Sequence, residues 1–135
     1  RPMFGALDTS TSGLVANRIR LETVAANVAN ANSIDDGDGN NVPFRRRIAL
    51  LAEGDPTTNG PGVHVAEIAH DPAPFRKKFE PNHPLADGEG YVSYPNINPI
   101  HEQVNALEIA RAYEANIQAA EATKAMMQSA LRLIA

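Results

Sequence analysis

The chain has 135 residues, a net charge of −4, no cysteine and no tryptophan, and only 5% aromatic residues. That size fits one domain. The missing thiols exclude disulfides, thiolate metal sites and a cysteine nucleophile, and the charge gives no general pull toward nucleic acid or an anionic membrane. No run is long and apolar enough to span a bilayer as a helix, so no direct membrane insertion is expected.

From about Ala6 to Ala31 an amphipathic helix is expected. Leu7, Leu14, Leu21 and Val28 recur every seven residues, and Val15, Val24, Ala25 and Ala29 widen the stripe. The run Asp8-Thr9-Ser10-Thr11-Ser12 favours caps and turns, so the helix is expected to fray before Gly13. Asp8, Asn17, Arg18 and Arg20 interrupt any signal-peptide core in this stretch. Asn30 and Asn32 suit a helix C-terminus, where Asn tolerates left-handed backbone and bonds free carbonyls. Asn27 lies further inside and is expected to cross-link to a neighbouring helix.

The loop at 33–41 contains Asp35-Asp36-Gly37-Asp38-Gly39-Asn40. A calcium loop of the EF-hand type needs Gly at its sixth position and Glu at its twelfth. Neither Asp35 nor Asp36 as a start satisfies this, so a tight solvated turn is the expectation. Alternation then predicts strands at 42–53 and 63–70, a third short strand around Phe75 to Phe79, and a last one at 91–94. Gly and Pro clusters separate them. This is a small antiparallel β module with too few apolar side chains for a large independent core.

From Asn98 onward the pattern returns to helix. Asn98 can cap, Pro99 has the φ of a first turn, and no Pro or Gly follows. A helix over that stretch would run ~55 Å. Ala106, Tyr113, Ala120, Met127 and Ile134 form one heptad register, and Ala110, Ile117 and Leu131 a second, interrupted by Lys124. Such a seam calls for a partner helix. The expected class is therefore α+β, with long N- and C-terminal α-helices paired as a coiled coil and the β module between them. The expected division is 1–33 for the first axial helix, 34–97 for the β-rich outer module and 98–135 for the second axial helix.

His64 and His70 with Glu67 and Asp71 could be imagined around a metal, but no two His share one helix at i, i+3 or i+4, and surface polarity explains them as well. No nucleophile elbow, P-loop, metalloprotease or dinucleotide motif is present. No catalytic residue, cofactor or metal is expected. Glu102, Glu108, Glu114 and Glu121 are strung along the long helix, with Glu108–Arg111 and Glu121–Lys124 expected as i, i+3 surface pairs. The basic runs Arg45-Arg46-Arg47 and Arg76-Lys77-Lys78 admit an alternative function, a soluble module binding a polyanion or nucleic acid. Strand alternation sends Arg46 to the face opposite Arg45 and Arg47, so neither run makes a continuous patch, and nucleic acid is not expected as a partner.

Two strings carry a resemblance. Ser12-Gly13-Leu14-Val15-Ala16 through Arg20-Leu21, with Ala26-Asn27-Val28-Ala29-Asn30-Ala31-Asn32-Ser33, resembles the N-terminal signature of bacterial flagellar rod and hook proteins. Val104-Asn105 through Arg111-Ala112-Tyr113-Glu114-Ala115-Asn116, with Lys124-Ala125-Met126-Met127, is similar to their C-terminal signature. The middle (62–65, 75–87, 90–92 and 95–97) resembles proximal-rod members of the family. The resemblance implies a structural subunit of the flagellar basal-body proximal rod. Such a subunit assembles through its terminal helices into a helical tube and transmits torque for motility. It also implies export from the cytoplasm through the type III apparatus without a cleaved signal peptide, and residence in the periplasmic rod. Implied partners are copies of itself, other rod proteins, an adaptor near the export gate and MS ring, and distal rod subunits. The implied assembly interface takes in Leu7, Leu14, Leu21, Asn27, Val28 and Asn30 on the first helix. On the second it takes in Leu107, Arg111, Tyr113, Asn116, Ile117, Met127 and Leu131.

Overall fold

The computed structural model describes residues 2–135, with side chains from residue 4 onward. Two long helices frame four strands: α1 (Pro2–Ala29), β1 (Arg47–Asp55), β2 (Gly60–His70), β3 (Arg76–Phe79), β4 (Tyr91–Tyr94) and α2 (Pro99–Ile134). This is the expected α+β arrangement. The Asn98 side chain accepts the Ile100 N–H at 3.0 Å, and Pro99 occupies the first turn. At the end of α1, the Asn30 backbone N–H and Nδ2 both donate to Ala26 O, at 3.1 and 2.9 Å.

The start of α1 departs from expectation, because the hydroxyl-rich run is helical throughout. Thr9 Oγ1 donates to Gly5 O at 2.8 Å, Thr11 Oγ1 to Leu7 O at 2.9 Å and Ser12 Oγ to Thr9 O at 2.7 Å. These hydroxyls turn back onto carbonyls of the preceding turn, so they no longer compete with the helix.

The helices pair antiparallel. Asn27 meets Glu102 at 3.4 Å, and fourteen residues back along α1, Gly13 lies against Asn116, fourteen residues forward along α2. A Cβ on Gly13 would sit 2.8 Å from Asn116 Nδ2, so glycine permits the close approach here. The inward face of α2 keeps one expected register, with Ala106, Tyr113, Ala120 and Met127 half-buried. Its second inward row lies one residue before the expected one: Glu102, Ile109 and Thr123 are buried and Asn116 is half-buried. Lys124 is simply exposed, since Thr123 takes the inward position. On α1 the buried centre is small and polar (Ser10, Ser12, Ala16, Asn17, Thr23 and Asn27), and Leu7, Leu14 and Leu21 flank it half-buried. Small and polar residues that find hydrogen bonds let two helices approach closely, and their positions form no large-apolar heptad in the sequence.

The β module consists of two separate antiparallel pairs, β1–β2 and β3–β4. β1 begins later than the alternation implied. Pro43 has no N–H to donate, and the Phe44 N–H goes to Ser33 O at 2.9 Å, outside any ladder. The β1–β2 hairpin is bulged between Leu50 and Leu51 and again between Glu53 and Asp55. It lies along α1, where Val63 N donates to Ser12 Oγ at 3.1 Å and Thr9 Oγ1 to Pro61 O at 3.3 Å. The β3–β4 pair is tied in by Asn41, whose side chain exchanges two hydrogen bonds with the Ser93 backbone at 2.8 and 3.0 Å. Val92, Pro95 and Ile97 fill a small core beneath it. The 35–41 stretch is the expected tight turn. Asp36 Oδ1 accepts from the N–H groups of Asp38 and Asn40, and Gly37 and Gly39 adopt φ of 82° and 86°. The Asn40 side chain, then those backbone N–H groups, hold the Asp36 carboxyl below the usual aspartate range.

Candidate assembly surface

The end of the helix pair where α1 stops and α2 starts is fastened by a polar cluster. Asn27 forms a two-way bond with the Arg47 backbone: Nδ2 donates to Arg47 O at 2.9 Å and Oδ1 accepts from Arg47 N at 2.8 Å. The same Nδ2 reaches Glu102 Oε2. Arg46 Nε donates to Glu102 Oε1 at 2.6 Å, and Arg46 Nη1 reaches Asp71 Oδ2 at 3.4 Å. Burial alone would lower the Arg46 pKa. Hydrogen bonding to Glu102, its charge and that of Asp71 more than offset this, so the guanidinium is held above its ordinary value. Four elements meet here: α1, the start of β1, the end of β2 and the first turn of α2. Asn27 thus reaches the neighbouring helix through Glu102, as expected, but its two shorter bonds go to the start of β1.

Glu102, Arg46 and Asp71 went unrecognised as a group in the sequence. Glu102 reads in the sequence as one of four acids strung along the helix, yet it is 1% exposed. The available signal was Arg46 itself, a cation on the apolar face of a predicted strand, which needs a buried anion somewhere in the fold. The rest of the basic runs is largely engaged within the chain. Arg45 Nη1 donates to Asp71 O and Ala73 O, and its guanidinium covers the Phe75 ring at 4.1 Å. Arg47 covers Phe44 at 5.0 Å and Arg76 Nε donates to Pro95 O at 3.2 Å. Lys77 and Lys78 stay exposed but, as neighbours on β3, point to opposite faces, so the basic runs offer a polyanion no continuous patch.

The helix pair also leaves large apolar side chains outward. Ile100 is 68% exposed, Val104 50% and Leu107 53%, at i, i+4 and i+7 on one face of α2. Leu131, Leu133 and Ile134 are exposed at its far end, and Phe4, Val15 and Val28 on α1. Of the residues expected at an assembly interface, Val28, Leu107, Arg111 and Leu131 are exposed. Leu7, Leu14, Leu21, Asn30, Tyr113, Asn116, Ile117 and Met127 are half-buried along the helix pair, and Asn27 is buried in the cluster. No described helix is long and apolar enough to cross a membrane.

Residues 7–33 match the flagella basal body rod protein family, and residues 89–133 match the C-terminal family of flagellar basal body rod FlgEFG proteins. The chain is similar over nearly its whole length to curated flagellar basal-body rod proteins FlgC. Identity is 38% over 132 residues with that of Yersinia enterocolitica, covering 97% of each chain. It is 34% over 145 residues with that of Bacillus subtilis (96% and 97%). With that of Aquifex aeolicus it is 40% over 129 residues (93% and 92%).

Proposed function

The chain belongs to the flagellar basal-body rod proteins of the FlgC type and is a structural subunit, not an enzyme; from that premise we propose how its two helices and β module divide the work. Residues 1–33 and 98–135 form one axial unit that packs into the wall of the rod, and residues 34–97 form the outer module. The interface comprises the exposed and flanking residues of the helix pair, Leu107, Arg111 and Leu131 foremost. Its partners are copies of this chain, other rod proteins, an adaptor at the export-gate end and distal rod subunits. The chain reaches the periplasmic rod through the flagellar export apparatus, without a cleaved signal.

One observation carries this reading. α2 leaves Ile100, Val104, Leu107 and Leu131 largely in solvent, although each stabilises by about 1.5–3 kcal/mol when fully buried. A subunit of a tube buries such side chains against its neighbours. The test is Leu107→Asp and Leu131→Asp, each placing a charge in the surface to be buried while sparing the fold. Both variants should keep the helical circular dichroism of the parent, be missing from purified basal bodies and leave cells non-motile. Normal motility with the variants present in rods would overturn the reading.

A further inference from the structure

Among the described residues β3 pairs with β4 alone, so its other edge is open. The hydrogen bonds of β4 fix which groups face that edge. Ser93 N–H donates to the Asn41 side chain and Ser93 O accepts from it. Tyr91 N–H donates to Asp87 Oδ1 at 2.9 Å, and Tyr91 O accepts from Asp87 N–H. Both residues therefore turn their backbone groups away from β3. Opposite them in register stand Lys77 and Phe79. These are the non-hydrogen-bonded pairs of an antiparallel ladder, so Lys77 and Phe79 direct their own N–H and C=O groups to the open edge.

The same strand borders a cleft of about 570 Å³ lined by Asn32, Arg76, Lys77, Lys78 and Tyr94. No acid is among these residues, although the chain as a whole carries −4. Glu80, next along the chain after β3, takes the Tyr94 hydroxyl. Arg76, Lys77 and Lys78 are exposed, and Phe79 is 60% exposed with its ring edge-on to Tyr91. Alternation places Arg76 and Lys78 on one face and Lys77 on the other. That spacing breaks up a patch for nucleic acid, but it matches an extended polypeptide whose side chains alternate in the same way. It also excludes β3 of a second copy, because like charges would then stand opposite each other across the pair.

We propose that the open edge of β3 docks an extended acidic segment of a neighbouring chain, which joins β3 and β4 as a third strand. The segment's backbone takes the N–H and C=O groups of Lys77 and Phe79. Its acids meet Arg76 and Lys78 on one face and Lys77 on the other, and an apolar residue covers Phe79. A two-stranded ribbon is marginal alone, and strand addition completes it with main-chain bonds while the side chains select the partner. The site rests on the rod reading only for the source of the segment, which is a different rod protein.

The probe is the end-capped peptide Val-Glu-Glu-Glu-Val, added to the full chain at low salt, with Val-Lys-Lys-Lys-Val as its control. At about 1 mM acidic peptide, NMR should show the Lys77 and Phe79 amides exchanging about twofold slower. The Lys78 amide, already bonded across the ladder, should be unchanged. Added salt should remove the protection, since exposed charges are screened. Lys78→Glu should abolish it, whereas Lys78→Arg, which keeps the charge, should retain it. Lys78 is the position to vary because Lys77 also attracts Asp87 within the chain. Shifted lysine side-chain signals without slowed amides would mean ionic association only and would overturn strand docking. Equal protection by both peptides, or in Lys78→Glu, would overturn the acidic partner, and no effect of either peptide would overturn the site. In all these cases the chain's presence in purified basal bodies leaves the rod reading standing, whereas its absence from them would remove that reading first.

Discussion

Glu102 is buried to 1% exposure in the first turn of α2, and its two carboxylate oxygens are divided between partners on different elements. One takes Arg46 Nε at 2.6 Å and the other Asn27 Nδ2 at 3.4 Å. A carboxylate near a helix N-terminus also meets the positive end of the helix dipole. Removing it by Glu102→Ala leaves Arg46 with Asp71 alone at 3.4 Å. Breaking a fully buried pair costs about 3–5 kcal/mol, and the Arg46 side chain retains 26% exposure, so a loss of about 2–3 kcal/mol is expected. The double change Arg46→Met with Glu102→Leu should lose less than Glu102→Ala alone, because no charge is then left stranded. Urea denaturation midpoints of the three chains measure this. A Glu102→Ala loss below about 0.5 kcal/mol, the scale of ordinary surface changes, would show that the pair does not fasten the cluster. In the sequence, Glu102 is one of four acids along a helix and nothing local marks it as buried. The partners that bury it are 56 and 75 residues away along the chain, so only the folded topology identifies them.

At the scale of elements, the helices were legible because their signals are local: the Asn98–Pro99 start, the asparagines at the end of α1 and the absence of Gly and Pro along α2. The strands were legible as a group, but their division into two sheets was not. That division depends on where the Asn41 side chain and the Ser33 carbonyl draw the backbone. The docking of the β1–β2 hairpin on α1 was hidden for a similar reason, since Ser12 looks like a capping residue until Val63 is beside it. Gly62 tests that docking. Its φ is 151°, and a Cβ there would lie 2.5 Å from Ser12 Oγ, the oxygen that accepts the Val63 N–H. Gly62→Ala should therefore push the hairpin tip off α1 while both helices persist. The overpacking costs about 1–3 kcal/mol. Amide exchange should show it, with Val63 N–H exchanging faster in the variant and amides around Ile109 unchanged. An unaltered Val63 rate would mean that the Ser12 contact does not hold the hairpin.

For the whole molecule, the fastenings are unevenly distributed. The buried apolar side chains are few, with Ala16, Ala31, Val92, Ile97 and Ile109 as the main ones, and most lie toward the end where α1 stops. The Asn27–Glu102–Arg46 cluster and the β3–β4 pair add to that end, while the β1–β2 hairpin runs along α1 as far as Thr9. Toward the other end the seam thins, and after Thr123 no residue of α2 is fully buried. The remaining turns number only about three, and an isolated helix shorter than about 12–15 residues is marginal in water. The isolated chain should accordingly show a gradient of protection along α2, since local opening costs least where few buried contacts are lost. Amides near Ile109 should exchange slowest and those beyond Thr123 fastest, whereas in purified basal bodies the slow class should extend to the C-terminal turns. Exchange read by mass spectrometry on free and assembled chains measures both profiles. Uniform protection from Pro99 to Ile134 in the free chain would show that α2 completes its packing without a neighbour, and that its exposed leucines and isoleucines are not held in reserve for assembly.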